Sequence, residues 1–243
     1  MSCEIRIGCS GWHYKHWRGP FYDSSIRSDQ MLTHYVQHFD SVELNNSFYK
    51  LPTDTALAGW RKATPRSFVF AVKASRFITH NKKLSDPESA LEKFFPKVEI
   101  LGRKLGPILF QLPPRWRLNL ERLRLFLEAL PAGHRYTFEF REESWHQAEV
   151  YDLLRAHNAA YCIYELDGFQ TPFEVTADFT YVRLHGPGGK YQGSYTGKVL
   201  RAWAERIMEW RRSLKGVYVY FDNDQEAFAA RNALELKRLV GLP

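Results

Sequence analysis

Thr137-Phe138-Glu139-Phe140-Arg141 and Tyr181-Val182-Arg183-Leu184-His185 decide how this chain is read. Each is a short run rich in β-branched and aromatic residues, the composition of a strand, and charge interrupts it at alternate positions. Side chains two apart on a strand share a face, so Glu139 projects with Arg141 and Arg183 with His185. Ser41-Val42-Glu43-Leu44-Asn45 carries a Glu in the same setting, and Phe68-Val69-Phe70-Ala71-Val72-Lys73 ends in a Lys. A buried charge costs roughly several kcal/mol unless it is paired or functional. Four apolar strands carrying charge therefore point to one polar site built from strand ends.

Further strand-like runs lie at 5–9, 107–112, 160–165 and 217–222, beside those at 41–45, 68–74, 135–141 and 180–186. Between most of them apolar residues recur at helical spacing. Leu120, Leu123, Phe126, Leu127 and Leu130 form one stripe, closed by Pro131 and Gly133. Val199, Trp203, Ile207, Trp210 and Leu214 form another, and Met31, Leu32, Tyr35, Val36 and Phe39 a shorter one. Ser85-Asp86-Pro87-Glu88 starts a helix running to about Leu105, with acids in its first turn. Eight strands alternating with helices are what a (β/α)8 TIM-type barrel of the α/β class requires. An open doubly wound sheet is the alternative, and the count to eight favours closure. Residues 167–178 contain Gly168 and Pro172 with little periodicity, so the sixth helix is expected to be short or missing.

A chain of 243 residues suits one domain spanning 1–243, with enough length for a large core. The formal net charge of +7 favours an anionic partner without specifying one. Cys3, Cys9 and Cys162 are odd in number and lack CxxC spacing, which argues against a disulfide framework and suits a reducing compartment. No apolar signal-peptide core opens the chain, and no run approaches the ~18 apolar residues of a membrane span. A cytoplasmic protein with no membrane partner is the expectation.

The same residues carry a resemblance. Ile7-Gly8-Cys9-Ser10-Gly11-Trp12, Val42-Glu43-Leu44-Asn45-Asn46-Ser47-Phe48-Tyr49 and the stretch from Lys73 through Arg76 to His80 resemble the YecE-like family, domain of unknown function 72. So do Phe110-Gln111-Leu112-Pro113-Pro114, Glu139-Phe140-Arg141 with Ser144-Trp145, Arg183-Leu184-His185-Gly186 and Tyr220-Phe221-Asp222-Asn223. The motifs cover nearly the whole chain in order. The resemblance implies a TIM-type barrel, in agreement with the strand count, and no established reaction. Its fold-level comparison with endonuclease IV does not transfer function. The chain departs from the family pattern at Cys9 and Asp222, where Thr and Asn are usual.

Barrel enzymes build their sites at the C-terminal ends of the strands and in the following loops. Glu43, Asn45, Lys73, Gln111, Glu139, Arg141, Arg183, His185 and Asn223 all fall at such ends. Three bases and two acids in this set leave one positive charge over, which suits a phosphate, sulfate or carboxylate held by forked Arg hydrogen bonds. The competing use is a polar plug that merely fills the barrel. Loop rings surround the set, among them Trp12, Tyr14, Trp17, Phe21, Tyr22, Phe48, Tyr49 and Trp145; they suit stacking on sugars or bases, or simple packing. The Gly-rich loop from His185 to Gly197, which includes Tyr191, follows strand seven, a favoured phosphate position in barrels, although it is not a Walker A loop.

Other chemistry is weaker. Glu43 and Glu139 can be read as a glycosidase pair, but ion pairing with Lys73 or Arg141 is an equal use. Lys73 could form a Schiff base if its pKa were depressed, whereas neighbouring acids would keep it charged. His34 and His38 lack the Glu of HExxH, and His13 and His16 lack evident ligand neighbours. Ser10 reads as a turn residue. No metal and no cofactor are expected. The first functional expectation is a metal-independent hydrolase or lyase on a phosphorylated or carboxylated small molecule. In it Glu43, Glu139 and His185 do acid–base work, while Lys73, Arg141 and Arg183 hold the anion. Gln111, Asn45 and Asn223 orient the ligand, and Trp12, Tyr49, Trp145 and Tyr191 surround it. The second expectation is a nucleic-acid-binding protein using the basic surface and the aromatic loops.

Overall fold

The computed structural model describes residues 3–243. Strands β1 (Glu4–Ser10), β2 (Ser41–Leu44), β3 (Val69–Lys73), β4 (Leu105–Gln111), β5 (Tyr136–Glu139) and β6 (Ala160–Leu166) are followed by a two-residue strand β7 (Phe169–Gln170), then β8 (Phe179–Leu184) and β9 (Gly216–Phe221). All pairings are parallel except β6–β7, and the β1–β9 and β5–β6 pairings close eight strands into a barrel. The fold is the TIM-type α/β barrel. Helices α1 (Met31–Tyr35), α2 (Asn46–Tyr49), α3 (Asp54–Ala63), α4 (Pro87–Val98), α5 (Leu120–Glu128), α6 (Ala148–Ala156) and α7 (Gly197–Trp210) occupy the crossovers, and α8 (Phe228–Leu239) follows the last strand. Among the described residues no helix is long and apolar enough to cross a membrane.

Strand alternation divides the interior in two. Odd-numbered β1 residues such as Ile7 and Cys9, with Val42, Phe70, Ile108, Phe138, Ile163, Val182 and Val219, face the helices and join the main core. The opposite parity fills the lumen, where Phe179, Tyr181, Tyr218 and Tyr220 on β8 and β9 cluster with Ala71 and Leu109 on β3 and β4 and with Ala160 and Cys162 on the neighbouring β6. Large rings and smaller side chains thus pack the lumen together without a pore. The aromatic loop after β1 is internally packed: Trp17 and Tyr22 are fully buried, and Phe21 stacks edge-on with Trp17, His34 and His38.

No helix follows the sixth strand, between β6 and β8. Asp167 and Gly168 both take positive φ, as a two-residue hairpin turn requires, and reverse β6 into β7. Residues 171–178 then run extended. Thr171 Oγ1 accepts from Tyr164 N at 2.9 Å, while Thr176 Oγ1 accepts from Tyr161 N and donates to Ala159 O, both at 2.7 Å. Two threonines thereby partner backbone groups beside β6. Thr176→Val keeps the shape but strands two buried backbone groups, and should lower stability by about 1–3 kcal/mol in urea unfolding.

Candidate functional site

The lumen parity carries charge at its C-terminal end. Arg183, 1% exposed, engages all five of its N–H donors. Nε donates to Glu43 Oε2 at 2.9 Å and Nη2 to Glu43 Oε1 at 2.8 Å, a forked pair. Nη2 also donates to Asp222 Oδ2 at 3.0 Å, and Nη1 donates to Glu139 Oε2 at 2.9 Å and approaches His185 Nε2 at 3.3 Å. Strands β2, β5, β8 and β9 therefore meet at one guanidinium. Tyr181 OH donates to Glu43 Oε2 at 2.7 Å, and Ser10 Oγ donates to Glu43 while accepting from Asn45 Nδ2 at 2.5 Å. Arg141 Nε donates to Glu139, its Nη2 reaches His185 Nε2 at 3.0 Å, and its guanidinium lies 4.6 Å from the Tyr164 ring centre.

These contacts fix protonation. Burial alone would raise the Glu139 carboxyl; Arg141, then Arg183, His185 and Lys73, reverse that and hold it well below the usual carboxylate range. Asp222 is likewise raised by burial but pulled below its ordinary value by Arg183 and His185. Burial, then the charge of Arg183, pushes His185 down to about 4 against the opposing pull of Asp222. Since both neighbours of His185 Nε2 are arginine donors, Nε2 must be the accepting nitrogen, and Nδ1 carries the proton 3.0 Å from Asp222 Oδ2.

Lys73 stands apart. Its ammonium lies 4.5 Å from the Phe48 ring centre and has no hydrogen-bond or ion-pair partner among the described residues. Burial, then Arg183, pushes it down to about 8, although Glu139, Glu43 and Asp222 pull the other way. At neutral pH the amine therefore still carries its charge for the most part, as the neighbouring acids lead one to expect, but holds it less firmly than an ordinary lysine because Arg183 and Arg141 already occupy those acids.

The remaining candidates divide between two cavities. One, of about 670 Å³, is lined by Gln111, Arg141, His146, Tyr164, Phe169, Lys190 and Tyr191. The other, of about 700 Å³, is lined by Trp12, Tyr14, Asn45, Tyr49 and Trp60. Trp145 lines neither: it is fully buried, stacked on Phe140 at 4.9 Å, with its Nε1 donating to Trp116 O, so it has no face for a ligand. Asn223 is also diverted, its Nδ2 donating to Gly193 O and Asn232 Oδ1. That bond clips the Gly-rich loop to α8. The loop is no open nest of amides, because the N–H groups of Gly186, Gly188 and Gly193 bond to Tyr195 OH, Gln192 O and Gln225 Oε1. Gly186, at φ +104°, lies so close to the Gln192 backbone that no side chain fits, and the tight loop sets Tyr191 edge-on to His185 at 5.5 Å.

Glu43 changes role as well. It is fully buried and receives Arg183, Tyr181 and Ser10, which leaves it a positioning group rather than an acid or base for substrate. Glu139, held ionised, cannot donate the proton a glycosidase acid must supply. The sequence reading missed Ser10, Tyr181 and Asp222 as members of this cluster. Parity was the available signal, since Tyr181 shares a face with Arg183, and Asp222 with Tyr218 and Tyr220. Asp222 also cancels the leftover positive charge: Glu43, Glu139 and Asp222 balance Lys73, Arg141 and Arg183. His16, expected to lack a carboxylate neighbour, has Asp224 Oδ2 at 3.5 Å. Among the described residues no group of three or more His, Cys, Asp or Glu is arranged to hold a metal.

A family model described as "Protein of unknown function DUF72" matches residues 6–243. The chain belongs to the DUF72 family. The UPF0759 protein YunF of Bacillus subtilis is 26% identical over 98% of this chain and 95% of its own length. The UPF0759 protein YecE of Escherichia coli is 30% identical over 56% of this chain and 48% of its own. Among solved structures, a DUF72 family protein from Thermotoga maritima superposes with a TM-score of 0.89 at 28% identity, covering 98% of this chain and 99% of that one. One from Enterococcus faecalis gives 0.86 at 20% identity, with 98% and 96% covered, which speaks to fold alone. The family description names no reaction, so the site's chemistry has to come from its residues.

Two outcomes are expected of the lattice. Arg183→Met leaves three carboxylates without their common partner and should cost about 3–5 kcal/mol at neutral pH. Glu139 and Asp222 titrate below their unfolded values, so their stabilisation is present above the ordinary carboxylate range and lost as pH falls through the folded values. The mutant's deficit should therefore shrink at acid pH, as urea unfolding on both sides of pH 4 would show. Nitrogen NMR of His185 should give a neutral ring protonated at Nδ1, with a midpoint at about 4.

Proposed function

We propose that the C-terminal mouth of the barrel is a metal-independent active site for a small molecule bearing a phosphate or carboxylate. One observation carries this reading: Arg141 belongs to the buried lattice and also lines the cavity of about 670 Å³. Arg183, with every donor engaged, serves as scaffold, and the anion-holding role passes to Arg141 with Lys190 on the cavity rim. Lys190 lies 4.0 Å from Asp167 across the cavity mouth, linking the loop after β8 to the β6–β7 hairpin.

The chemistry that suits these groups is proton abstraction. A ligand anion competes with His185 for the Arg141 guanidinium. As Arg141 turns to the ligand, His185 Nε2 loses the nearer of its two arginine donors, leaving only Arg183 Nη1 at 3.3 Å, and becomes available as a base, with Asp222 beside Nδ1 to stabilise the imidazolium that forms. Gln111 and Tyr191 line the same cavity and orient the ligand. The ionised Glu139 and Asp222 offer no ready general acid, so a lyase fits better than a hydrolase. A nucleic-acid ligand has less support, because the exposed Tyr49 lines one cavity and the exposed Phe169 and Tyr191 line the other, so the rings form no single extended stacking platform.

Thermal melts with phosphate, small sugar phosphates and dicarboxylates test this. A bound ligand at about 100 times its Kd adds about 2.7 kcal/mol, a rise of roughly 5–10 °C for a chain of this size. Arg141→Lys should lose that increment, since the ammonium cannot reproduce the planar fork. A wild type indifferent to every anion tried would overturn the reading, and a steep fall of nucleic-acid binding with salt would replace it with the second one.

A further inference from the structure

We infer that Lys73 is an amine nucleophile that forms a Schiff base with a small carbonyl compound carrying a carboxylate or phosphate. Four observations place it for that role. It stands at the C-terminal end of β3, inside the charged lattice yet bound to none of its members. Phe48 keeps water from one side of the amine, although its ring face by itself attracts the cation, so burial and Arg183 are what lower the charge. The adjoining strand β4 carries Gln111, which lines the Arg141 cavity, so Lys73 stands at a strand end one strand away from the wall of that cavity. The side chain is only partly buried, which leaves a path to it.

The groups acting on Lys73 are Arg183, Glu139, Glu43 and Asp222 from the lattice. His80, on the turn Phe77–Asn81, packs edge-on against the same Phe48 ring at 4.9 Å, and its Nδ1 lies 2.9 Å from Thr79 Oγ1. Burial, then Lys73 and Arg76, pushes His80 down to about 4, so it is a neutral imidazole on the ring that Lys73 also touches and adds no positive charge there. A desolvated lysine beside another cation is the usual way an amine nucleophile is activated. The alternative use of Lys73, as an ion-pair partner of Glu43 or Glu139, has no hydrogen bond or ion pair among the described residues to support it.

The step balances without a cofactor. The Nζ lone pair attacks the carbonyl carbon and a C–N bond forms, while the carbonyl π pair moves to oxygen, which takes up a proton as nitrogen gives one up. The resulting carbinolamine loses its hydroxyl with a proton as water, leaving the imine, whose protonated form is the electron sink. That sink eases removal of a neighbouring proton, the work assigned above to His185. The inference rests on the proposed function for the ligand's anionic group, while the amine chemistry can be read separately.

The test uses the full chain with glyoxylate, pyruvate or dihydroxyacetone phosphate, and sodium cyanoborohydride to reduce any imine to a stable secondary amine. Peptide mapping then compares Lys73 with exposed lysines such as Lys50, Lys190 and Lys198. With its pKa near 8 against an ordinary 10.5, Lys73 should label faster by on the order of ten-fold or more at pH 7.5. Lys73→Met and Lys73→Arg should both fold, by circular dichroism, and both lose the preferential adduct although Arg keeps the charge. Labelling of Lys73 no faster than of the exposed lysines would overturn the inference, even if phosphate still raised the melting midpoint through Arg141. Fast labelling of Lys73 with no anion effect on the melt would support it and discard the anion reading instead.

Discussion

The guanidinium of Arg183 is the point on which the C-terminal half of the barrel depends. A cation buried at 1% exposure survives only if every donor finds an acceptor, and here three carboxylates from three other strands converge to supply them. The requirement runs both ways. Glu43, Glu139 and Asp222 could not be brought together without a forked cation between them, and the forked cation could not be buried without all three. Tyr181 and Ser10 then take up the remaining acceptor capacity of Glu43. Such mutual dependence fixes the register of β2, β5, β8 and β9 at their upper ends more tightly than hydrophobic packing alone, because a slip of one residue turns every charge toward the helices.

A second ionic group at the other end of the barrel gives a useful contrast. Glu4 accepts from Tyr218 OH at 2.7 Å and from Arg6 and Arg135, and Arg6 also reaches Asp40 at 2.6 Å. That group lies at the N-terminal ends of the strands, where barrels do not place chemistry, and each of its cations is matched to a carboxylate. The upper group differs in three respects: Lys73 is left without a partner, His185 is held neutral, and Arg141 opens onto a cavity. Those differences are what the proposed function rests on.

The barrel was legible in the sequence because lumen and helix-facing positions alternate strictly, and because apolar runs and helical stripes follow each other eight times with one gap. Even the gap was visible, in Gly168 and Pro172. The convergence of Glu43, Lys73, Glu139, Arg141, Arg183 and His185 followed from strand parity alone. Parity says which face a residue takes, though not which partner it finds, and there the reading fell short. Nothing local marks Asp222 as the third carboxylate on Arg183, or says that Arg141 rather than Arg183 would reach open space. Ring-rich loops were equally opaque: Trp145 and Tyr191 look alike in sequence, yet one is locked beneath Phe140 and the other leans over His185.

The missing helix after β6 has a structural consequence. Elsewhere a helix and its stripe of apolar side chains brace each strand end from outside. After β6 the wall of the Arg141 cavity is instead a ribbon two strands wide, with Leu166 and Phe169 at its tip, tied back by the β6–β7 ladder, by Gln170 and Thr171 to Tyr164, and by Lys190 near Asp167. Hydrogen bonds and one charge pair, rather than the apolar stripe of a helix, therefore set the outline of that cavity, and they do so apart from the strand ends that hold the charges.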